Sequence, residues 1–276
     1  MSIWNARLAQ KTATLRPPPS NYPYSLPGEV TSIERSSDKT HVAVGYSTGD
    51  IRIFDYIKQT VVASFRGHRS AIASLAFDIS ENSALLASGG KDSDILVWDM
   101  VALTGLSRLR GHKDVVTGVR FIHRASQRLL LSVSKDTLLK VWDLSTQHCI
   151  QTIVGHRNEI WSMATCPVRG NVLVVTGSAD GLLRGYCLSE DNDSDRVHLS
   201  DEETVLEYIG SVERQFANDK VTQLQFNPDS TLLVAQNSGK NVEVSEMSYH
   251  RLFIDILFSC LSFAMTRERR RSLRGG

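Results

Sequence analysis

RGHRSAIASLAF (66–77), followed by ILVWDM (95–100), is restated 44 residues later as RGHKDVVTGVRF (110–121) and LKVWDL (139–144). Gly67-His68, Gly111-His112 and Gly155-His156 fall 44 residues apart, and so do Trp98-Asp99 and Trp142-Asp143. A fixed period of this length marks a repeat protein, in which one unit cannot bury its apolar face alone and neighbours must stack to make a core. Within each period apolar residues alternate, as at Ile95 and Val97 or Leu139 and Val141, with the two-residue periodicity of a short buried strand. The chain is therefore expected to be all-β, with one small sheet per period.

Weaker copies flank the two clear ones. Phe54-Asp55 lies 44 residues before Trp98-Asp99, at the end of EVTSIER, HVAVGY and DIRIFDY, which read as three strands. In the fourth unit, RGNVLVVTGSADGLLRGYCL, Tyr186 and Cys187 stand where the earlier units have Trp and Asp. KVTQLQFNPDSTLLVAQ and NVEVSEM form a fifth, worn unit. Trp4-Asn5 followed by KTATLRPP resembles the second half of a unit, with Pro18 fourteen residues after Trp4 as His112 is after Trp98. Its first half is absent, so something else must pair with the exposed edge. Six third-strand positions follow, at Trp4, Phe54, Trp98, Trp142, Tyr186 and Val244, and five complete units.

A Gly-His pair, thirty residues, then Trp-Asp, at this period, resembles the signature of the WD-repeat family, whose unit is a β-propeller blade. The resemblance implies about five complete blades plus a partial one over residues 1–250, with the partial blade at 1–16. Seven blades are the commonest number in that family, so an incomplete part of a seven-bladed ring is expected. It also implies a buried hydrogen-bonded tetrad in each good repeat. These are His68, Ser88, Asp92 and Trp98; then His112, Ser132, Asp136 and Trp142; then His156, Thr176, Asp180 and Tyr186. Ser, His and Asp also make up a catalytic triad, but a nucleophile has no reason to recur in every repeat tied to an indole. The first unit lacks the His and Ser and has Thr48 in place of the Asp, so apolar packing must hold it.

Composition fits a globular chain with a real core, at 41% hydrophobic and 22% charged residues. The formal net charge of +1 excludes a polyanion binder by bulk charge, so any nucleic-acid contact must be a local patch. Cys149, Cys166, Cys187 and Cys260 form no metal-ligand spacing and read as reduced thiols. No Gly-rich phosphate loop, nucleophile elbow or metal cluster is present, so no cofactor and no enzymatic activity are expected. The first residues lack the apolar core of a secretory signal.

Residues 189–207 hold eight Asp and Glu in nineteen positions and read as an exposed acidic insertion between blades. Ser200, followed by Asp201, Glu202 and Glu203, is a candidate phosphosite in that insertion, beside the simpler reading of a solvated loop. LFIDILFSCLSFAM (252–265) is short for a membrane span, and TRERRRSLRGG after it is basic. Residues 251–276 are expected to lie outside the propeller, as an address, an RNA patch or a foreign end.

A narrower resemblance rests on AVGYSTGDIRIFD (43–55), ASGGKDSDILVWDM (87–100), VSKDTLLKVWDLSTQHCIQTIVGHRNEIW (133–161) and VTGSADGLLR (175–184). Together with the acidic insertion, these resemble the tandem-propeller WD-repeat subunits of the UTP-B complex in the small-subunit processome. That resemblance implies a nucleolar scaffold in rRNA processing. Its partners would be other WD-repeat and assembly-factor subunits of a large ribonucleoprotein, and pre-rRNA or box C/D snoRNA, directly or through them, with no membrane. Family members are longer than this chain. On a propeller the rim loops vary while the blades stay rigid, so Arg66, Arg69, Arg110, Lys113 and Arg157, flanking the Gly-His pairs, are candidate phosphate contacts as well as ordinary solvated charges. Trp161 is either an exposed anchor or a residue packed on the next blade. The competing class is a substrate-receptor adaptor of a ubiquitin ligase or signalling complex.

Overall fold

The structure, a computed structural model, describes residues 2–5, 7, 10–14, 28–80, 83–124, 127–168, 171–188, 205–216, 218–247 and 258–263. Its regular elements are all strands. The first pair, β1 (Ser2–Asn5) and β2 (Gln10–Thr14), forms a two-stranded antiparallel sheet. Five four-stranded sheets follow, each strand pairing with the next in sequence, and these are the blades of a β-propeller.

The first blade is β3 (Val30–Arg35), β4 (His41–Tyr46), β5 (Asp50–Asp55) and β6 (Thr60–Arg66). The second is β7 (Ile72–Ser80), β8 (Ser83–Gly90), β9 (Ile95–Asp99) and β10 (Thr104–Leu109). The third is β11 (Val116–Arg124), β12 (Gln127–Ser134), β13 (Leu138–Asp143) and β14 (His148–Val154). The fourth is β15 (Ile160–Val168), β16 (Asn171–Ser178), β17 (Leu182–Leu188) and β18 (Glu207–Glu213). The fifth is β19 (Val221–Phe226), β20 (Leu232–Asn237), β21 (Val242–Met247) and β22 (Phe258–Phe263). Phe54, Trp98, Trp142, Tyr186 and Val244 each sit on the third strand of a blade, and Trp4 sits on β1.

The chain forms two compact units. One holds, in the main, the β1–β2 sheet and the first three blades to Thr152; the other holds the fourth and fifth blades from Ile153. Within the first, Ile51, Ile53, Ala63 and Phe65 of blade one bury against Ile72, Leu75, Leu86, Leu96 and Trp98 of blade two. The opposite face of blade two, with Ala76, Ala87, Ile95 and Val97, buries against Val116, Val119, Leu130 and Trp142 of blade three. Within the second unit Ala164, Leu173, Val175 and Leu183 pack on Val221, Leu224, Leu233 and Ala235. Burial on both faces accounts for runs such as ALLASGG on β8, in which Leu86 meets blade one while Leu85 and Ala87 meet blade three.

Two backbone devices recur at the sequence period. Gly89 stands where the next blade arrives, and a Cβ there would lie 2.6 Å from a Val116 side-chain carbon. The turn between second and third strands takes a left-handed residue at Gly49, Ser93, Thr137 and Gly181, each 44 residues after the last. A β-branched Thr is an uncommon tenant of that conformation.

Two boundary expectations are corrected. The acidic insertion does not lie between blades: β17 ends at Leu188 and β18 is the fourth strand of the same sheet, with Tyr208 opposite Tyr186. The insertion therefore joins the third and fourth strands of blade four. Its last residues belong to that blade, since Val205 and Leu206 are buried and Glu207 begins the strand. Residues 251–276 are also not wholly outside the propeller, because Phe258–Phe263 pairs antiparallel with β21 from Val242↔Phe263 to Met247↔Phe258. A third strand without a fourth exposes a row of unpaired backbone groups, and β22 covers that edge. Ser200 lies outside the described residues, as do the side chains of Trp4 and Cys260.

Candidate functional site

Two groups of polar residues stand out, one buried in the blades and one on the turns above it. In blade two His68, on the turn before β7, places Nδ1 2.9 Å from Asp92 Oδ1 and Nε2 2.9 Å from Ser88 Oγ on β8. Trp98 on β9 donates its indole N–H to the same Oγ at 2.9 Å. Blade three repeats the chain: His112 meets Asp136 and Ser132 at 2.8 Å each, and Trp142 donates to Ser132 Oγ at 2.7 Å. The order fixes the proton positions. The indole donates to the hydroxyl, the hydroxyl donates to Nε2, and Nδ1–H donates to the carboxylate. No member is left as a nucleophile with a free acceptor base. Asp92 also accepts the Arg69 backbone N–H at 2.7 Å. Burial opposes its charge, but that bond and the one from His68 hold its carboxyl below the ordinary value.

Blade four departs from this pattern. His156 Nε2 lies 2.7 Å from Thr176 Oγ1, but its Nδ1 faces both Asp180, at 3.2 Å, and the Arg184 guanidinium, which is in hydrogen-bond contact with it. Arg184 also donates to Asp180 Oδ2 at 2.6 Å. A guanidinium can only donate, so Nδ1 here accepts and Nε2–H donates to Thr176, the reverse of the other two blades. Burial first, and then Arg184, push His156 down to about 4 against the pull of Asp180. Tyr186 fills the Trp position but its buried hydroxyl has no hydrogen-bonding partner of ordinary geometry.

In blade five Ala235, paired with Glu243 as Ser88 is with Leu96, takes the Ser position, which puts Ser245 rather than Val244 at the Trp position, and a different pair fills the interior. Arg214, just after β18, reaches Glu243 Oε1 on β21 at 3.1 Å with both side chains buried, and Asn237 donates to the same oxygen at 3.4 Å. Sequence reading missed this pair and missed Arg184, because Arg184 and Glu243 sit at the strand position that elsewhere carries Leu96 or Lys140 and Arg214 lies just past β18.

The turns carry the basic residues. Arg66 pairs with Asp50 at 3.2 Å, and Arg110 with Asp94 at 3.5 Å. Arg108, not singled out from sequence, donates to Asp94 at 2.6 Å and to the Gly67 carbonyl at 2.8 Å. Arg69 and Lys113 follow the tetrad histidines and are exposed, each with its backbone N–H fixed on the tetrad Asp. Arg157 follows His156 and is also exposed. Trp161 is half-buried, and the Lys220 ammonium, from the residue before β19, lies 3.8 Å from the centre of its ring. Among the described residues no three His, Cys, Asp or Glu side chains gather as a metal site.

Comparison with known proteins bears on this arrangement. Residues 1–188 match the family described as the WDR3 first beta-propeller domain. Among curated proteins, the U3 small nucleolar RNA-associated protein 12 of Saccharomyces cerevisiae is 35% identical over 82 residues, which is 28% of this chain and 9% of that protein. The match thus spans under a tenth of that relative's length. Among solved structures, a chain of the crystal structure of the mitotic checkpoint complex superposes with a TM-score of 0.69 at 22% identity, covering 90% of this chain and 70% of that one. At that identity the likeness is one of fold.

Proposed function

The chain belongs to the WDR3 first β-propeller family, and from that membership we propose that it is a non-enzymatic scaffold for protein and RNA in ribosome biogenesis. The observation that carries this reading is the family match over residues 1–188, joined by likeness to a protein named for its association with U3 small nucleolar RNA. On this reading it works in the nucleolus, within the small-subunit processome. Its partners are other WD-repeat and assembly-factor subunits, with pre-rRNA or box C/D snoRNA reached directly or through them.

The chemistry of the interior supports a binding role. In blades two and three every tetrad member has its partner, and the histidine that would serve as a base is committed at both nitrogens. What remains for function is the set of turns around a rigid frame. Affinity purification of the tagged full chain at moderate salt tests the reading. Recovery of pre-ribosomal RNA, U3 RNA and other WD-repeat subunits is expected. Recovery of ubiquitin-ligase or signalling subunits without RNA would overturn it.

A further inference from the structure

We infer that Arg69, Lys91 and Lys113 form one phosphate-contacting surface on the adjoining ends of the second and third blades, fitted to the backbone of a single-stranded RNA. The inference rests on the scaffold reading above and narrows it to a place. The two blades are neighbours, joined by the apolar contact of Ala87, Ile95 and Val97 with Val116, Val119 and Trp142. Their homologous turns therefore emerge side by side. Arg69 is held there by its N–H on Asp92 at 2.7 Å, and Lys113 by its N–H on Asp136 at 2.9 Å. Lys91, one residue before Asp92, is fixed by its N–H on the Ala71 carbonyl at 2.9 Å, and Lys135 occupies the same turn of blade three, bonded to Val115 at 3.0 Å.

Charge on this end of the blades is divided unequally. Arg66 is paired with Asp50, and Arg108 and Arg110 share the single carboxylate of Asp94. Asp92 and Asp136 are turned inward onto the tetrad histidines. The side chains of Arg69, Lys91 and Lys113 are exposed and enter no ion pair among the described residues. The exposed acid of these turns, Asp114, accepts the Val115 N–H. The cations without an acid partner are thus concentrated on two adjacent turns, whereas the matching turn of blade four has Arg157 with Ala179 in place of the lysine. A chain of near-zero net charge can hold a polyanion only through such a local excess. Cations that no acid competes for are the ones that release counterions from phosphate.

Binding of the full chain to a short fluorescent oligouridine, measured between about 50 and 200 mM salt, tests this. With three contacts at about 0.7 per phosphate, the R69Q/K91Q/K113Q variant should lose affinity and show a log–log salt slope shallower by about two. The R66Q variant, which removes a cation already paired with Asp50, should keep the wild-type slope. Unchanged thermal midpoints in both variants exclude a folding effect. An unaltered slope in the triple variant, equal losses in the two variants, or no binding by the wild-type chain at low salt would each overturn the inference. None of these outcomes removes the scaffold reading, which stands or falls on whether the tagged chain recovers ribosome-assembly particles.

Discussion

Blades two and three set against blade four show two ways of burying the same histidine. In the first two, an uninterrupted chain runs from Trp through Ser and His to Asp, and all its polar atoms are matched. In blade four Arg184 stands between His156 and Asp180, the imidazole takes the other tautomer, and Tyr186 leaves a hydroxyl unmatched. The lesson is that blades two to four keep a partnered imidazole in the interior more than they keep a set of residues, and that blade four leaves one polar atom over in doing so. Blade five departs furthest, with Arg214 and Glu243 filling the interior that His and Asp fill elsewhere.

The largest expected effect is at the indole. Trp142→Ala removes a fully buried side chain and the donor that Ser132 Oγ accepts, and should cost about 3–5 kcal/mol in chemical denaturation. By contrast Tyr186→Phe, which deletes a buried hydroxyl with no hydrogen-bonding partner of ordinary geometry, should cost nothing and stabilise by up to about 1 kcal/mol. Comparable losses at both positions would erase the distinction drawn between the blades.

Acid should separate the blades next. His156 is held near 4 in the folded protein against an ordinary 6.5, so between those values the unfolded chain binds a proton that the native chain does not. Stability is then complete above about pH 6.5 and falls as pH drops toward 4, by up to about 3 kcal/mol. Asp92 and Asp180, both held below the ordinary carboxylate value, add losses at still lower pH. Arg184→Leu, which gives blade four the residue that blade two has at Leu96, should raise His156 and shrink the loss in that window. Hydrogen exchange of β15–β18 between pH 4.5 and 7 would show it. Faster loss of protection in the variant as pH falls would contradict the role given to Arg184.

The smallest effect is at a turn. Thr137 and Gly181 hold the same left-handed position in blades three and four, with φ of 73° and 78°. Thr137→Gly should therefore raise the thermal midpoint, by a stabilisation of about 0.5–1 kcal/mol. A lowered midpoint would mean that the Thr side chain supports the turn.

Much of the fold was legible because the 44-residue spacing places strand, turn and aromatic together. The resemblance to the WD-repeat family, carried by Gly-His and Trp-Asp, implied the positions of Ser88, Asp92, Ser132 and Asp136, and each lies within 3 Å of its histidine. Arg184 was not legible, because an Arg on a strand reads as a solvated charge until the histidine beside it is seen. The Arg214–Glu243 pair was hidden by the acidic insertion, which breaks the period and lengthens the third-to-fourth strand connection of blade four. The same break hid β22. The division of the rim cations into paired and unpaired depends on Asp50 and Asp94 at the start of or just before third strands, a long-range relation that spacing does not announce.

A scaffold role for this propeller in ribosome assembly is tested most directly by rate-zonal sedimentation of extract containing the tagged full chain. The chain should co-sediment with U3 small nucleolar RNA in large particles and move to lighter fractions after ribonuclease treatment. A chain that sediments apart from U3 RNA, at the same place with or without ribonuclease, would contradict the claim.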